Sequence, residues 1–239
     1  QVVSELIDAQ ATRAGIITGI NNAFQNAVED DISYFYFSGH GSLSNGNAYL
    51  CPYDTWNVPM ISVSELEREL KKIKGIKVVI LDSCHSGGFI GKELDQKEIS
   101  DYLQDFNNNV INAFSGQGII EKDLSKYPYQ VLTSSHSSQT SVEFFEGSFD
   151  PPFDNPVGLF SLYLCWGCGY NSYIHPYPAD WIDGNGEITL YEAYECTDYW
   201  VEKFRQEYNK NLPEDKQIKQ VTQVYPEFSH FVIIREPES

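Results

Sequence analysis

Residues 77–88 read KVVILDSCHSGG, and residues 31–41 read DISYFYFSGHG. Each is a short apolar run that breaks into a polar, Gly-containing turn, the pattern of a buried strand in a parallel sheet. In open α/β sheets, reacting groups gather beyond the carboxyl ends of the strands, and glycine lets backbone N–H groups approach a substrate there. Both turns carry such groups: Ser38-Gly39-His40-Gly41 follows the first run, and Asp82-Ser83-Cys84-His85 ends the second. Two strand ends can therefore bring His40 and Cys84 together. A thiol needs help to ionise at neutral pH, and a nearby imidazole can supply it and later protonate a leaving amine. Taken singly, Cys84 reads as a buried small residue and His40 as a satisfied polar residue of a turn. Taken together, the pair fits acyl transfer.

Working outward, residues 61–73 (ISVSELERELKKI) predict a helix capped by Ser62 or Ser64 and running through Lys72, with Glu65 and Glu67 early and lysines late. Strand, helix, strand implies a right-handed crossover and a parallel pair. Residues 11–27 place Ile16, Ile17, Ile20, Ala23, Phe24 and Ala27 at helical spacing. Residues 128–135 predict a further strand, 158–166 (GLFSLYLCW) a buried helix, and 189–205 another helix. The polar stretch 86–127 shows no strand pattern and reads as a long excursion over the carboxyl edge of the sheet, as lids and processing loops are. Residues 209–221 form a solvated connection, and the apolar stretch 228–234 returns to the fold. There is no internal repeat. These elements describe an α/β fold.

The chain has 239 residues, 41% of them hydrophobic and 14% aromatic, which suits one large folded domain over 1–239 rather than an acidic disordered tail. Its 34 acidic against 16 basic residues give a net charge of −18, which repels phosphate backbones and argues against a nucleic-acid partner. No run approaches the roughly 20 apolar residues of a membrane-spanning helix. The chain opens on Gln1 rather than Met, which leaves room for a preceding segment. Five cysteines, Cys51, Cys84, Cys165, Cys168 and Cys196, are odd in number and too sparse for a disulfide scaffold. The expectation is a reducing, cytoplasmic compartment, with secretion as the alternative.

YFYFSGHG followed by VVILDSCHSGG resembles the caspase-like cysteine peptidases, closest to the bacterial caspase-like and metacaspase members. Caspases carry the His about 50 residues before the Cys, close to the interval here. Softer matches are Ala11-Thr12-Arg13, Tyr49-Leu50-Cys51-Pro52-Tyr53-Asp54, Gln139-Thr140-Ser141-Val142-Glu143 and Gly158-Leu159-Phe160. The resemblance spans about residues 8–195. It implies a three-layer α/β/α fold with a mostly parallel central sheet, and a cysteine endopeptidase acting on proteins or peptides without a required cofactor. It implies Cys84 as nucleophile, His40 as general acid and base, and the N–H groups of Gly41 and Cys84 as the oxyanion hole. Asp82 and Ser38 would line the primary specificity pocket, where a carboxylate favours Arg or Lys before the scissile bond. The excursion 86–127 would be the linker such enzymes often cut in themselves. Family members also open with a strand and a helix bearing a Gly-Cys-x-Asn-Asp-like motif that this chain lacks, so association with a segment before Gln1 is expected. The rival expectation is a caspase-like module that is catalytically silent or conditionally activated and binds a partner protein.

Two further patterns stand apart. Residues 183–192 (DGNGEITLYE) resemble the back of an EF-hand loop, with Asp183, Asn185, Glu187 and Glu192 as candidate calcium ligands, Gly186 at the sharp turn and Glu192 at the bidentate position. The first ligand position falls on Trp181, beside Asp180, and a capping box from Thr189 to Glu192 explains the same residues without a metal. Cys165-Trp166-Gly167-Cys168 has redox or zinc spacing that Cys196 or His175 could complete, although Cys165 also continues an apolar helix face. His85, His136 and His230 have no partner pattern.

Overall fold

The structure, a computed structural model, describes residues 3–44, 47–83, 128–134, 143–144, 157–169, 178–218 and 220–235. Its main sheet holds β1 (Ile32–Gly39), β5 (Ile76–Ser83), β6 (Tyr129–Thr133) and β10 (Gln223–Tyr225), in the spatial order β1-β5-β6-β10. β1, β5 and β6 run parallel, and β10 closes one side antiparallel to β6. This is the expected α/β fold with a mostly parallel sheet.

Helices cover both faces. α1 (Arg13–Phe24) starts at Thr12, whose hydroxyl accepts from Gly15 N, and α2 (Val63–Leu70) starts at Ser62, whose hydroxyl accepts from Glu65 N. Ser62 rather than Ser64 is thus the cap. Their apolar sides, Ile16, Ile20, Leu66 and Leu70, pack on Val79, Leu81, Tyr129 and Val131. On the other face α3 (Leu159–Gly167) and α4 (Leu190–Asn209) bring Phe160, Leu164, Leu190 and Ala193 against Val78 and Leu132. Alternation along β5 explains the two cores: Val78, Ile80 and Asp82 point one way, Val79, Leu81 and Ser83 the other. All but Ile80 are buried, which is why this strand reads as a continuous apolar run.

The structure adds strands that the periodicity does not announce. β2 (Gly41–Ser44), β3 (Asn47–Leu50) and β4 (Ile61–Ser62) form a small antiparallel sheet directly after β1. β7 (Glu143–Phe144) pairs with β8 (Val157–Gly158), and β9 (Glu187–Thr189) pairs with β11 (Val232–Arg235). All are two to four residues long, too short for alternation to separate them from loop. The apolar stretch 228–234 does return to the fold: β11 pairs with β9, and Phe231 and Ile233 pack in the core with Val78 and Leu132. β1 also differs from a fully buried strand: Ile32, Tyr34, Tyr36 and Ser38 are exposed on one face, since β1 ends the sheet among the described residues. No helix among the described residues is long and apolar enough to cross a membrane.

Candidate active site

β1 and β5 pair in register over eight positions, ending with Ser38 beside Asp82 and Gly39 beside Ser83. Adjacent strands lie about 4.8 Å apart. His40 follows Gly39 and is exposed at the carboxyl edge of the sheet. Cys84 follows Ser83 in the chain and lies outside the described residues, as do His85, the excursion 86–127, His136, Gln139-Thr140-Ser141-Val142 and His175.

The backbone at His40 is clamped by the segment after β3. Cys51 N donates to the His40 carbonyl at 2.9 Å, Tyr53 N donates to the Ala11 carbonyl at 2.9 Å, and Asp54 Oδ1 accepts from Arg13 N at 2.8 Å. The Arg13 guanidinium then reaches Glu65 on α2 at 2.6 Å. Two of the short matching segments of the sequence, residues 11–13 and 49–54, therefore meet each other and fix the strand end that bears the imidazole. Gly41 is buried as the first residue of β2, paired with Leu50.

Asp82 is 4% exposed. Its Oδ2 accepts from Ser161 Oγ at 2.5 Å and from Ser161 N at 3.3 Å. Ser161 is the third residue of α3, so its N–H is one of the donors that a helix N-terminus leaves open. The residue at the cap position, Gly158, has no side chain to offer. Asp82 supplies the missing acceptor from the neighbouring strand, where the helix dipole also favours a negative charge. The approach is tight enough that a Cβ at Gly158 would lie 2.3 Å from Asp82 Oδ2.

Tyr36 extends this network. Its hydroxyl lies 2.8 Å from Ser161 Oγ. Burial raises the Tyr36 phenol pKa, hydrogen bonds to Ser161 and Ser38 oppose the rise, and the Asp82 charge adds to it. The phenol thus stays protonated. Ser161 Oγ donates its one proton to Asp82 and so accepts from Tyr36, which makes the order Tyr36 to Ser161 to Asp82. Ser38 and Asp82, the two expected pocket residues, are joined both by strand register and through Tyr36. The sequence reading gave no site role to Ser161, Tyr36 or Gly158, although Gly158 falls within one of its softer family matches. Ser161 left one signal: it is the lone polar residue of the apolar run GLFSLYLCW.

The other thiols are poorly suited to nucleophilic work. Cys51, Cys165, Cys168 and Cys196 are all unpaired. Burial pushes Cys51 and Cys196 up to about 11, and burial with the neighbouring Cys165 and Cys196 pushes Cys168 up to about 12. Burial and then the Asp82 charge raise Cys165. The pair Cys165 and Cys168 is neither a disulfide nor, among the described residues, part of a metal-holding group of three or more ligands. The acidic residues of the other candidate site lie on the approach to α4. Glu187 pairs with Arg235 Nε at 2.9 Å, Asn185 Nδ2 donates to Asp183, and Glu192 closes the capping box with Thr189.

A family model described as "Caspase domain" matches residues 3–225. No curated protein matches the chain. Among solved structures, the chain is similar to protein GSU0716 from Geobacter sulfurreducens, with 18% identity over 93% of this chain and 75% of that one and a TM-score of 0.48. The family match takes in β1, β5 and β6, the strand ends with His40 and Asp82, and the helix that fixes the Asp82 carboxylate. The chain belongs to the caspase family of cysteine peptidases.

Proposed function

We propose that the chain is a cysteine endopeptidase that cleaves peptide bonds after Arg or Lys, with Cys84 as nucleophile and His40 as general acid and base. The observation that carries the reading is the register of β1 on β5, which sets Gly39 beside Ser83, the residues immediately before His40 and Cys84. The raised pKa values of the four other thiols support it by elimination.

In the reaction, His40 takes the Cys84 proton, and the thiolate attacks the carbonyl carbon of the scissile bond. The carbonyl oxygen gains a negative charge, which the N–H groups of Gly41 and Cys84 stabilise. His40 then gives its proton to the departing amine. Water, deprotonated by His40, attacks the thioester and releases the acid. Asp82 accounts for the specificity: a buried carboxylate beside exposed Ser38 pairs with a guanidinium or ammonium group more strongly than one in water. Ser161 and the α3 N-terminus fix its position through two hydrogen bonds. The acidic net charge of −18 also draws basic peptides. The reading extends to a cytoplasmic setting, supported by the unpaired state of the four described thiols.

The test is an acyloxymethyl ketone probe carrying Arg, compared with one carrying Asp, on wild-type and Cys84→Ala protein. Rapid labelling of wild type by the Arg probe alone supports the proposal. Labelling of Cys84 no faster than a free thiol would instead support a silent module that binds a partner.

A further inference from the structure

We propose that the loop entering α4 is a calcium site built by Asp180, Asp183 and Glu192. One carboxylate oxygen from each of the three lies within 4.8 Å of the others. Two oxygens on one ion lie at most twice the metal–oxygen distance apart, about 4.6 to 5.2 Å for Ca²⁺ and about 4.0 to 4.2 Å for Mg²⁺. The three carboxylates meet the calcium limit as they stand. The donors are all oxygen, which selects a hard cation over zinc or copper.

Carboxylates cluster on many surfaces without a cation, so the state of Glu192 decides the matter. It is 3% exposed, and its two oxygens are used differently. Oε2 accepts from Thr189 N at 2.9 Å and from Thr189 Oγ1 at 2.8 Å, which completes the capping box of α4. Oε1 is buried and has no hydrogen-bond partner. A buried carboxylate oxygen without a partner is costly, and no described Lys or Arg makes an ion pair with Asp180, Asp183 or Glu192 to offset the charge. A cation between the three carboxylates removes both penalties at once. The capping box therefore accounts for half of Glu192 and leaves the other half to the ion.

The loop also resolves the mismatch in the EF-hand count, in which the first ligand position fell on Trp181. Asp180 folds back over the turn: its Oδ1 accepts from Asn185 N at 3.1 Å and its Oδ2 from Gly186 N at 2.8 Å. Gly184 and Gly186, at φ +64° and +82°, give the backbone the left-handed turns this needs. Trp181 is exposed instead. Asp180 stands in for the first position, while Glu187, a ligand candidate by sequence, is turned to Arg235. Main-chain carbonyls and water would complete the six to eight oxygens that calcium takes. The ion would tie the loop to the first turn of α4, which packs on α3. Its role is structural and does not depend on the peptidase reading.

The test uses the full chain stripped with EDTA and titrated with CaCl₂, with MgCl₂ as the comparison, reading the melting temperature and the luminescence of Tb³⁺ excited through tryptophan, for which Trp181 is the adjacent donor. In wild type the melting temperature should rise with free calcium, as it does for any ligand that binds only the folded state, and calcium should displace the Tb³⁺ signal. Asp183→Asn, at an exposed position with little part in the core, should need at least about tenfold more calcium, a loss that even outer-shell partners produce. Glu192→Gln keeps a capping side chain and should weaken binding likewise. No calcium response in folded wild-type protein, an unchanged midpoint in Asp183→Asn, or an equal response to Mg²⁺ would each overturn the proposal.

Discussion

Alkylation of the native protein with iodoacetamide at pH 7 should modify one of its five cysteines far ahead of the rest. An ordinary thiol of pKa about 8.5 is about 3% thiolate at that pH. Cys51 and Cys196, at about 11, hold about one thiolate in 10⁴, and Cys168, at about 12, about one in 10⁵. Relative to the ordinary thiol these fractions are lower by about 300-fold and about 3,000-fold. A more basic thiolate is the better nucleophile, with a Brønsted slope of about 0.4 to 0.5, which returns roughly a factor of 10 to 40. The net expectation is alkylation roughly 20-fold slower at Cys51 and Cys196 and roughly 80-fold slower at Cys168, before any obstruction by packing. Cys84, with His40 as its base, should react faster than the ordinary thiol. Peptide mapping by mass spectrometry at timed intervals reads all five sites, and the same reaction in denaturant should equalise them. The sign with pH is fixed: labelling of Cys51 should rise about tenfold per unit from pH 7 to 9, since its thiol deprotonates only near 11. Cys51 or Cys196 labelled as fast as Cys84 at pH 7 would refute the reasoning.

His40→Ala should lower turnover of an Arg peptide by about 10⁴-fold or more and leave the circular dichroism spectrum unchanged, because the side chain is exposed; turnover within tenfold of wild type would remove His40 from the mechanism. Asp82→Asn keeps an acceptor for Ser161 but loses the charge, so kcat/KM for Arg and Lys peptides should fall by the roughly 2 to 5 kcal/mol of a truncated buried ion pair, about 30-fold to several thousand-fold. Wild type that cleaves faster after Asp than after Arg in a fluorogenic panel would contradict that assignment. Gly158→Ala puts a methyl group 2.3 Å from Asp82 Oδ2 and should destabilise the protein by roughly 1 to 3 kcal/mol, read as a lower urea midpoint; an unchanged midpoint would show that the contact gives way freely. Self-cleavage is expected after one or more of Lys92, Lys97, Lys122 and Lys126, which lie outside the described residues, in wild type and not in Cys84→Ala. Intact masses after equal incubation decide it, since nicking of both forms would point to a contaminating protease.

The main-sheet strands β1, β5 and β6 and the helices α1 to α4 were legible in the sequence because each is long enough for its periodicity to repeat and because Thr12, Ser62 and Thr189 cap locally. Their carboxyl ends were legible too, since Ser38-Gly39-His40-Gly41 and Asp82-Ser83 break two apolar runs. The three-residue strand β10 was not: what makes it a strand is the open hydrogen-bonding edge of β6, which is a property of the assembled sheet. The same holds for the two faces of Asp82. Sequence alone marks it as a carboxylate before a cysteine, but its partner Ser161 is far along the chain and its close neighbour Gly158 looks like any turn glycine. Only folding brings the open N–H of α3 to a carboxylate on another strand, and only the resulting 2.3 Å approach requires glycine. The acidic loop divides in the same way. The residue types and the capping box were readable locally, because a helix cap involves atoms three residues apart. That Glu187 turns to Arg235 on another strand was decided by the pairing of β9 with β11, a contact between segments that no local pattern encodes.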